Sequence, residues 1–162
     1  MARLPAFPVL LILLAGLGPA RAADPAAEAG WIKDRNGCKI SNPNPKPGET
    51  VTWSGACERG YAEGKGVLQF SLAGKPAARY EGTMHKGLIS GSGSLRSPDG
   101  SLYEGDWVAG KPDGFGRYTD GAGNEYVGGW TAGQQDGPGT LRNKDGQTLA
   151  GTWRKGQYVG KE

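Results

Sequence analysis

The sequence predicts an all-β protein: one elongated, twisted antiparallel sheet of tandem β-hairpins, open at its ends. Three observations carry this expectation. Large aromatic residues recur every 23 positions, as at Tyr80, Tyr103 and Tyr126. Glycines recur in register with them, as at Gly82, Gly105, Gly128 and Gly151. Beyond the first two dozen residues no apolar stripe has helical spacing.

The chain starts with a segment of different character. MAR is a short cationic start, PAFPVLLILLAGLGP is apolar, and Ala20-Arg21-Ala22 has the small-x-small pattern of a signal-peptidase site. The apolar run is too short and too broken by Pro and Gly for a membrane span. Residues 1–22 are therefore expected to be a removed signal peptide, leaving 140 of the 162 residues exported to a periplasm or the extracellular space. No cysteine falls in this region, so lipoprotein-type lipid attachment is not expected.

Removing Arg3 and Arg21 from the 19 basic residues leaves 17 against 16 acidic ones, a net charge of +1. That charge provides no long-range field to gather nucleic acid or an anionic membrane. The mild basic concentration at Lys33, Arg35, Lys39 and Lys46 is diluted by Asp34 and reads as a solvated tail.

Residues 23–50 read as a linker and Pro-rich capping segment, with NPNPKPG at its centre. Cys38 lies here and Cys57 just beyond, and they are the only cysteines. In an exported chain an even count suggests a bridge, and closing a loop of this length stabilises by about 3 kcal/mol. The alternative is a metal or redox pair; two cysteines and a distant histidine make a poor ligand set.

Residues 51–162 read as the repeat domain, with units starting near Trp53, Tyr80, Tyr103, Tyr126 and Leu149, the last incomplete. The Trp53 unit starts 27 residues before Tyr80. Its four extra residues fall in FSLAGKPAARY, read as a longer surface connection. Cys57 stands in the column that holds Trp107, Trp130 and Trp153 in later units.

Within a unit, YEGDW alternates large and polar positions, the pattern of a half-buried strand. Val108-Ala109-Gly110-Lys111 supplies the reversal, with Gly110 in the left-handed conformation of a turn followed by a bulge. Gly114-Phe115-Gly116-Arg117-Tyr118 is the return strand, with both glycines on the face of Tyr118. Asp99-Gly100 and Asp145-Gly146 mark turns between units. Regular glycine inside strands implies that something lies flat against the backbone there, and the rings of neighbouring hairpins are the candidates. Such hairpins bury their rings only when stacked, giving a sheet of about 45 Å.

YEGDWVAGKPDGFGRYTDG resembles the MORN repeat, whose pattern is Tyr-Glu-Gly-x-Trp, a short turn, then Gly-x-x-x-Gly-x-Gly. The Tyr80 unit departs with Met84 for tryptophan, the Tyr126 unit with Val127 for glutamate, and the Leu149 unit lacks the tyrosine. The resemblance implies a scaffold, protein-binding or phospholipid-binding module. The segment GCKISNPNPKPGETVTWSGACERG is similar to the N-terminal portion of bacterial exported MORN-repeat proteins, which implies a periplasmic placement and a disulfide-tethered cap.

No residue pattern indicates catalysis, a cofactor or a metal site. Lys111 beside Gly110 is not a phosphate-loop lysine, because Leu88, Gln134 and Gln157 occupy its column. His85 has no nucleophile paired with it in sequence, and Glu81, Glu104 and Asp106 follow from strand alternation. Asp99, Asp113, Asp120, Asp136 and Asp145 lack the spacing of a calcium loop. The candidate binding surface is the ladder of Tyr80, Tyr103, Trp107, Tyr126, Trp130 and Trp153, left as an accessible groove if no second layer covers it. The expected partner is an envelope protein, with polysaccharide or phospholipid as alternatives on the same ladder. The chain is expected as a monomer or a weak dimer paired through the edge from Thr152 to Tyr158.

Overall fold

The structure, a computed structural model, describes residues 30–161. The expected signal peptide, residues 1–22, lies outside the described residues. Thirteen strands form one open sheet: β1 (Trp31–Lys33), β2 (Lys39–Ser41), β3 (Glu49–Trp53), β4 (Ala56–Glu58), β5 (Tyr61–Leu72), β6 (Lys75–His85), β7 (Leu88–Arg96), β8 (Leu102–Val108), β9 (Lys111–Thr119), β10 (Glu125–Thr131), β11 (Gln134–Arg142), β12 (Thr148–Arg154) and β13 (Gln157–Gly160). From β5 to β13 each strand pairs antiparallel with the next in sequence. β3 and β4 both pair with β5, so together they serve as the first strand of the Trp53 unit.

The register carries the repeat across the whole array. Trp53 faces Leu68, Tyr80 faces Leu95, Tyr103 faces Tyr118 and Tyr126 faces Leu141. Cys57 faces Ala62 as Met84 faces Ile89 and Trp107 faces Pro112, so the cysteine occupies the tryptophan column. An unbroken row of directly opposed glycines crosses the sheet from Gly66 on β5 to Gly151 on β12.

The hairpin turns are tighter than expected. Val108 pairs directly with Lys111, so only Ala109 and Gly110 make the turn, and both have positive φ, 48° and 83°. A turn of this mirror-image type matches the right-handed twist of its strands. The twist outweighs the cost of about 1 kcal/mol for a non-glycine residue in that conformation. The bulge lies further on, where β9 carries extra residues between Gly116 and Pro112 opposite Gly105 and Trp107. Gly114 sits in it with φ 117°. This corrects one expectation: Gly116 faces a ring, whereas Gly114 serves the bulge.

Three other readings change. The four extra residues of FSLAGKPAARY form no loose connection. They lengthen β5 and β6 into a hairpin arm closed at Ala73-Gly74, with Leu72 paired to Lys75 and Ala73 N–H donating to the Gly48 carbonyl (3.2 Å). The segment read as a linker contains β1, β2 and the start of β3. The sheet is also not wholly antiparallel, because β2 meets β5 in parallel at Lys39 and Tyr61. The chain must leave β2 and return through β3 and β4 before β5, and that path brings β2 alongside β5 in the same direction.

The core is a single stripe. Strand residues four apart are separated by about 13 Å when straight, yet the rings of Tyr103 and Trp107 have centroids 4.9 Å apart, and those of Tyr126 and Trp130 5.4 Å. Each long side chain reaches along the strand, and the rings lean together over the glycine between them. A Cβ on Gly116 would fall inside the Tyr103 hydroxyl and 2.6 Å from its ring carbon Cζ, so only glycine fits that close approach.

Candidate functional site

The predicted ladder is the natural place to look for a site, and its geometry decides against an open groove. Two of the tyrosines each meet two tryptophans edge-on: Tyr103 touches Trp107 and Trp130 (4.9 and 5.2 Å), and Tyr126 touches Trp130 and Trp153 (5.4 and 5.2 Å), whereas Tyr80, with Met84 in its own unit, meets only Trp107 (5.8 Å). These are favourable aromatic arrangements. Tyr80, Tyr103, Trp107, Tyr126, Trp130 and Trp153 are only 0%, 2%, 2%, 1%, 3% and 6% exposed. The ladder is the core of the sheet, and a ligand could stack on it only by opening that core. Alternation placed the rings on one face, but the closing of that face depends on rings of neighbouring units meeting over the glycine row.

Polar tips of the ladder are satisfied internally. The hydroxyls of Tyr80, Tyr103 and Tyr126 donate to the carbonyls of Thr83, Asp106 and Gly129 (3.0, 3.1 and 3.2 Å). Trp107 and Trp130 donate Nε1–H to the carbonyls of Gly93 and Gly116, both at 3.2 Å. Trp153 breaks the series, since its buried Nε1 has no partner. Tyr158 packs against Trp153 (5.5 Å) and takes the place of the tyrosine that Leu149 lacks. Burial pushes Tyr80 and Tyr126 up to about 12 and raises Tyr103 further.

Asp113 and Asp136, singled out by sequence, and Glu63, which was not, have structural work. Asp113 accepts the Ala132 N–H (3.0 Å), Asp136 the Lys155 N–H (3.1 Å) and Glu63 the Lys86 N–H (2.8 Å). Each carboxylate thus caps the turn of the following hairpin. Backbone bonds run beside them, from Gly87 to Ala62, Gly133 to Pro112 and Gly156 to Gln135, at 2.8–2.9 Å. The recurrence of acids at Asp113 and Asp136, 23 residues apart, was the available signal for this lock. Asp99 accepts the backbone N–H and then the hydroxyl of Ser101, which hold its carboxyl below the usual range.

His85 lies on the surface with Nδ1 2.9 Å from Glu63. The Lys86 N–H first and His85 second hold the Glu63 carboxyl low. Glu81 pairs with Arg79 at 2.9 Å, and Glu104 stands apart from it across the sheet. No group of three or more His, Cys, Asp or Glu side chains comes together among the described residues. A shallow open depression of about 420 Å³ lies over the Gly66–Gly82 pair, bounded by Lys65, Val67, Glu81, Thr83 and Ser92.

The disulfide is present: Cys38 bonds Cys57, nineteen residues on in sequence. Cys38 and Ile40 are fully buried against the first hairpin. Lys39 N–H donates to Gly60 (2.9 Å), Ser41 N–H to Gly87 (2.8 Å), and Trp31 meets Tyr61 edge-on at 5.4 Å. The segment read as a solvated tail is therefore a fitted cap, with Asp34 turned inward to accept the Cys38 and Asn36 N–H groups (both 2.9 Å).

Fold and surface together define a tandem-hairpin repeat protein whose aromatic residues serve its own cohesion. Comparison with protein families finds the MORN repeat at residues 80–102, 103–125, 126–148 and 150–161, half of the chain. The chain belongs to the MORN-repeat family. These repeats are modules of interaction with proteins and membrane lipids. No curated protein matches the chain. The Trp53 unit lies outside the matched residues, and its place in the array rests on register alone.

Proposed function

We propose that the protein is a non-enzymatic, exported scaffold that binds other proteins in the cell envelope. One observation carries this reading: the rings that would bind sugar or lipid are enclosed in the core. What the molecule presents outward is a long hairpin face and the edge strand β13, which among the described residues pairs only with β12. Such surfaces suit protein contacts. The disulfide fits an oxidising compartment, and the apolar leader of the sequence fits export.

The test is crosslinking in cells that produce the full chain with its native N-terminus. Recovery of a defined envelope protein on the exported, oxidised form is the expected result. A cytosolic, reduced protein would overturn the export reading. Tight binding of purified protein to anionic vesicles or peptidoglycan, with no protein captured, would overturn the protein-scaffold reading.

A further inference from the structure

The same turn recurs along one edge of the sheet, at Arg59-Gly60, Lys86-Gly87, Ala109-Gly110, Ala132-Gly133 and Lys155-Gly156, each with both φ positive. The N–H of each later glycine donates to the hairpin before it, from Gly87 to Ala62, Gly110 to Ile89, Gly133 to Pro112 and Gly156 to Gln135 (2.8–2.9 Å). Their carbonyls are used unevenly. β2 crosses the first two turns, where Lys39 N–H donates to the Gly60 carbonyl (2.9 Å) and Ser41 N–H to the Gly87 carbonyl (2.8 Å). Between these donors Ile40 is fully buried. Within the chain itself, then, the turn row binds an extended segment with an apolar residue between two N–H donors.

Beyond Ser41 the chain leaves the row, and Asn42 N–H donates to Gly30 instead (2.8 Å). Among the described residues the carbonyls of Gly110, Gly133 and Gly156 accept no hydrogen bond. The space over the turns changes in step. A Cβ on Gly87 would fall 2.7 Å from the Lys39 carbonyl oxygen and 2.7 Å from the Trp31 ring, whereas one on Gly110 or Gly133 would meet nothing within 4 Å. Gly87 is buried under the cap, while Gly110, Gly133 and Gly156 are half-buried.

We propose that the turn row from Gly110 to Gly156 docks an extended segment of a partner protein, which continues the line of β2 and donates backbone N–H groups to these carbonyls. The proposal rests on the protein-binding reading above and names its surface. Continuity selects the occupant, because the open turns adjoin the two that already hold a strand through the same acceptors. Neighbouring hairpins lie about 9.6 Å apart and an extended residue advances about 3.3 Å, so every second or third N–H reaches a turn. Main-chain bonds of this kind give affinity, and the side chains between them give specificity. The partner segment therefore has no proline at its donor positions, and it carries an apolar residue between donors, as Ile40 stands between Lys39 and Ser41.

The experiment titrates the isotope-labelled protein, with its disulfide intact, with two synthetic peptides that copy residues 37–43 with Cys38→Ala. The second peptide is N-methylated at its lysine and serine, which removes both donors. The first should move the carbonyl-carbon resonances of Gly110, Gly133 and Gly156, and the second should bind more weakly by about tenfold or more. Equal binding of the methylated peptide, no binding of either, or shifts mapped away from these turns would overturn the row. The same shifts on concentrating the protein alone would make a second copy the occupant and overturn the partner segment. Photo-crosslinking in cells separates this proposal from the scaffold reading, with the reactive group placed at exposed Gln134, beside Gly133, or at exposed Glu104 on the outer face. Capture of an envelope protein from Gln134 is expected. Capture from Glu104 but not from Gln134 sinks the row and leaves the scaffold, whereas no capture from either sinks both.

Discussion

In the hairpin of β8 and β9, the Tyr103 ring covers Gly105 and Gly116 and is held by Trp107 from its own unit and Trp130 from the next. In the hairpin that β3 and β4 make with β5, the Trp53 ring covers Gly55 and Gly66 in the same way. There the tryptophan column holds Cys57, and a covalent bond to Cys38 brings Ile40 over the end of the core. Interior units have a neighbour on each side to complete the ring ladder, whereas the first unit has one on one side only. An end unit cannot bury its apolar face by repetition, so a different closure is required. The far end solves the same problem with Tyr158 on Trp153.

The comparison can be broken most severely with alkali. The buried phenols of Tyr80 and Tyr126 titrate near 12 in the folded chain and near the ordinary value of 10 once unfolded, with Tyr103 raised further. Unfolding therefore releases protons above pH 10. Stability should hold level below pH 10 and fall as pH rises through 12. Tyrosinate absorbance should appear together with loss of the β-sheet signal. Smooth titration near 10 with the fold intact would show that the rings are not enclosed.

Trp130→Ala comes next. Trp130 meets Tyr103, Tyr118 and Tyr126, so its loss opens a cavity shared by two units and should cost about 4 kcal/mol in urea unfolding. A loss under about 1 kcal/mol would mean that the ladder does not hold the array together.

Removing the disulfide through the double substitution of Cys38 and Cys57 by serine should cost about 3 kcal/mol. The effect should also be local. Hydrogen-exchange protection is expected to drop for residues 38–62 while β9 to β12 keep theirs. A uniform drop across the array would remove the distinction between a capped end and a self-supporting middle.

The smallest effect concerns a single turn. Ala109 holds φ 48°, a conformation that glycine adopts without strain, so Ala109→Gly should raise stability by about 0.5 kcal/mol after its greater unfolded-state entropy is counted. A decrease in the urea midpoint would show that the Ala109 side chain makes a contact worth more than its strain.

Much of this molecule was legible in residue order. The 23-residue step located the strands from Tyr80 onward, matching glycines placed the Trp53 unit 27 residues earlier, and the two cysteines announced their pairing. The tryptophan column holding Cys57 showed which hairpin the bond would reach. These are local or periodic properties, because alternation and turn chemistry act between residues close in sequence. The cap was less legible, since Trp31, Lys39 and Ser41 are shaped by contacts with Tyr61, Gly60 and Gly87, far along the chain. Read alone, their segment is a short Pro-rich stretch without period.

By itself the sequence determined which side chains share a face and that glycines lie beneath them, although it put Gly114 there together with Gly116. Only the tertiary structure decided whether that face is a surface or a core. Rings standing upright on that face would have left an open groove between Tyr103 and Trp107. The opposed glycines close it, because bare backbone lets each ring lie flat and meet the ring from the neighbouring unit. That enclosure turns the tyrosines and tryptophans, which alternation singles out, from a binding surface into the core.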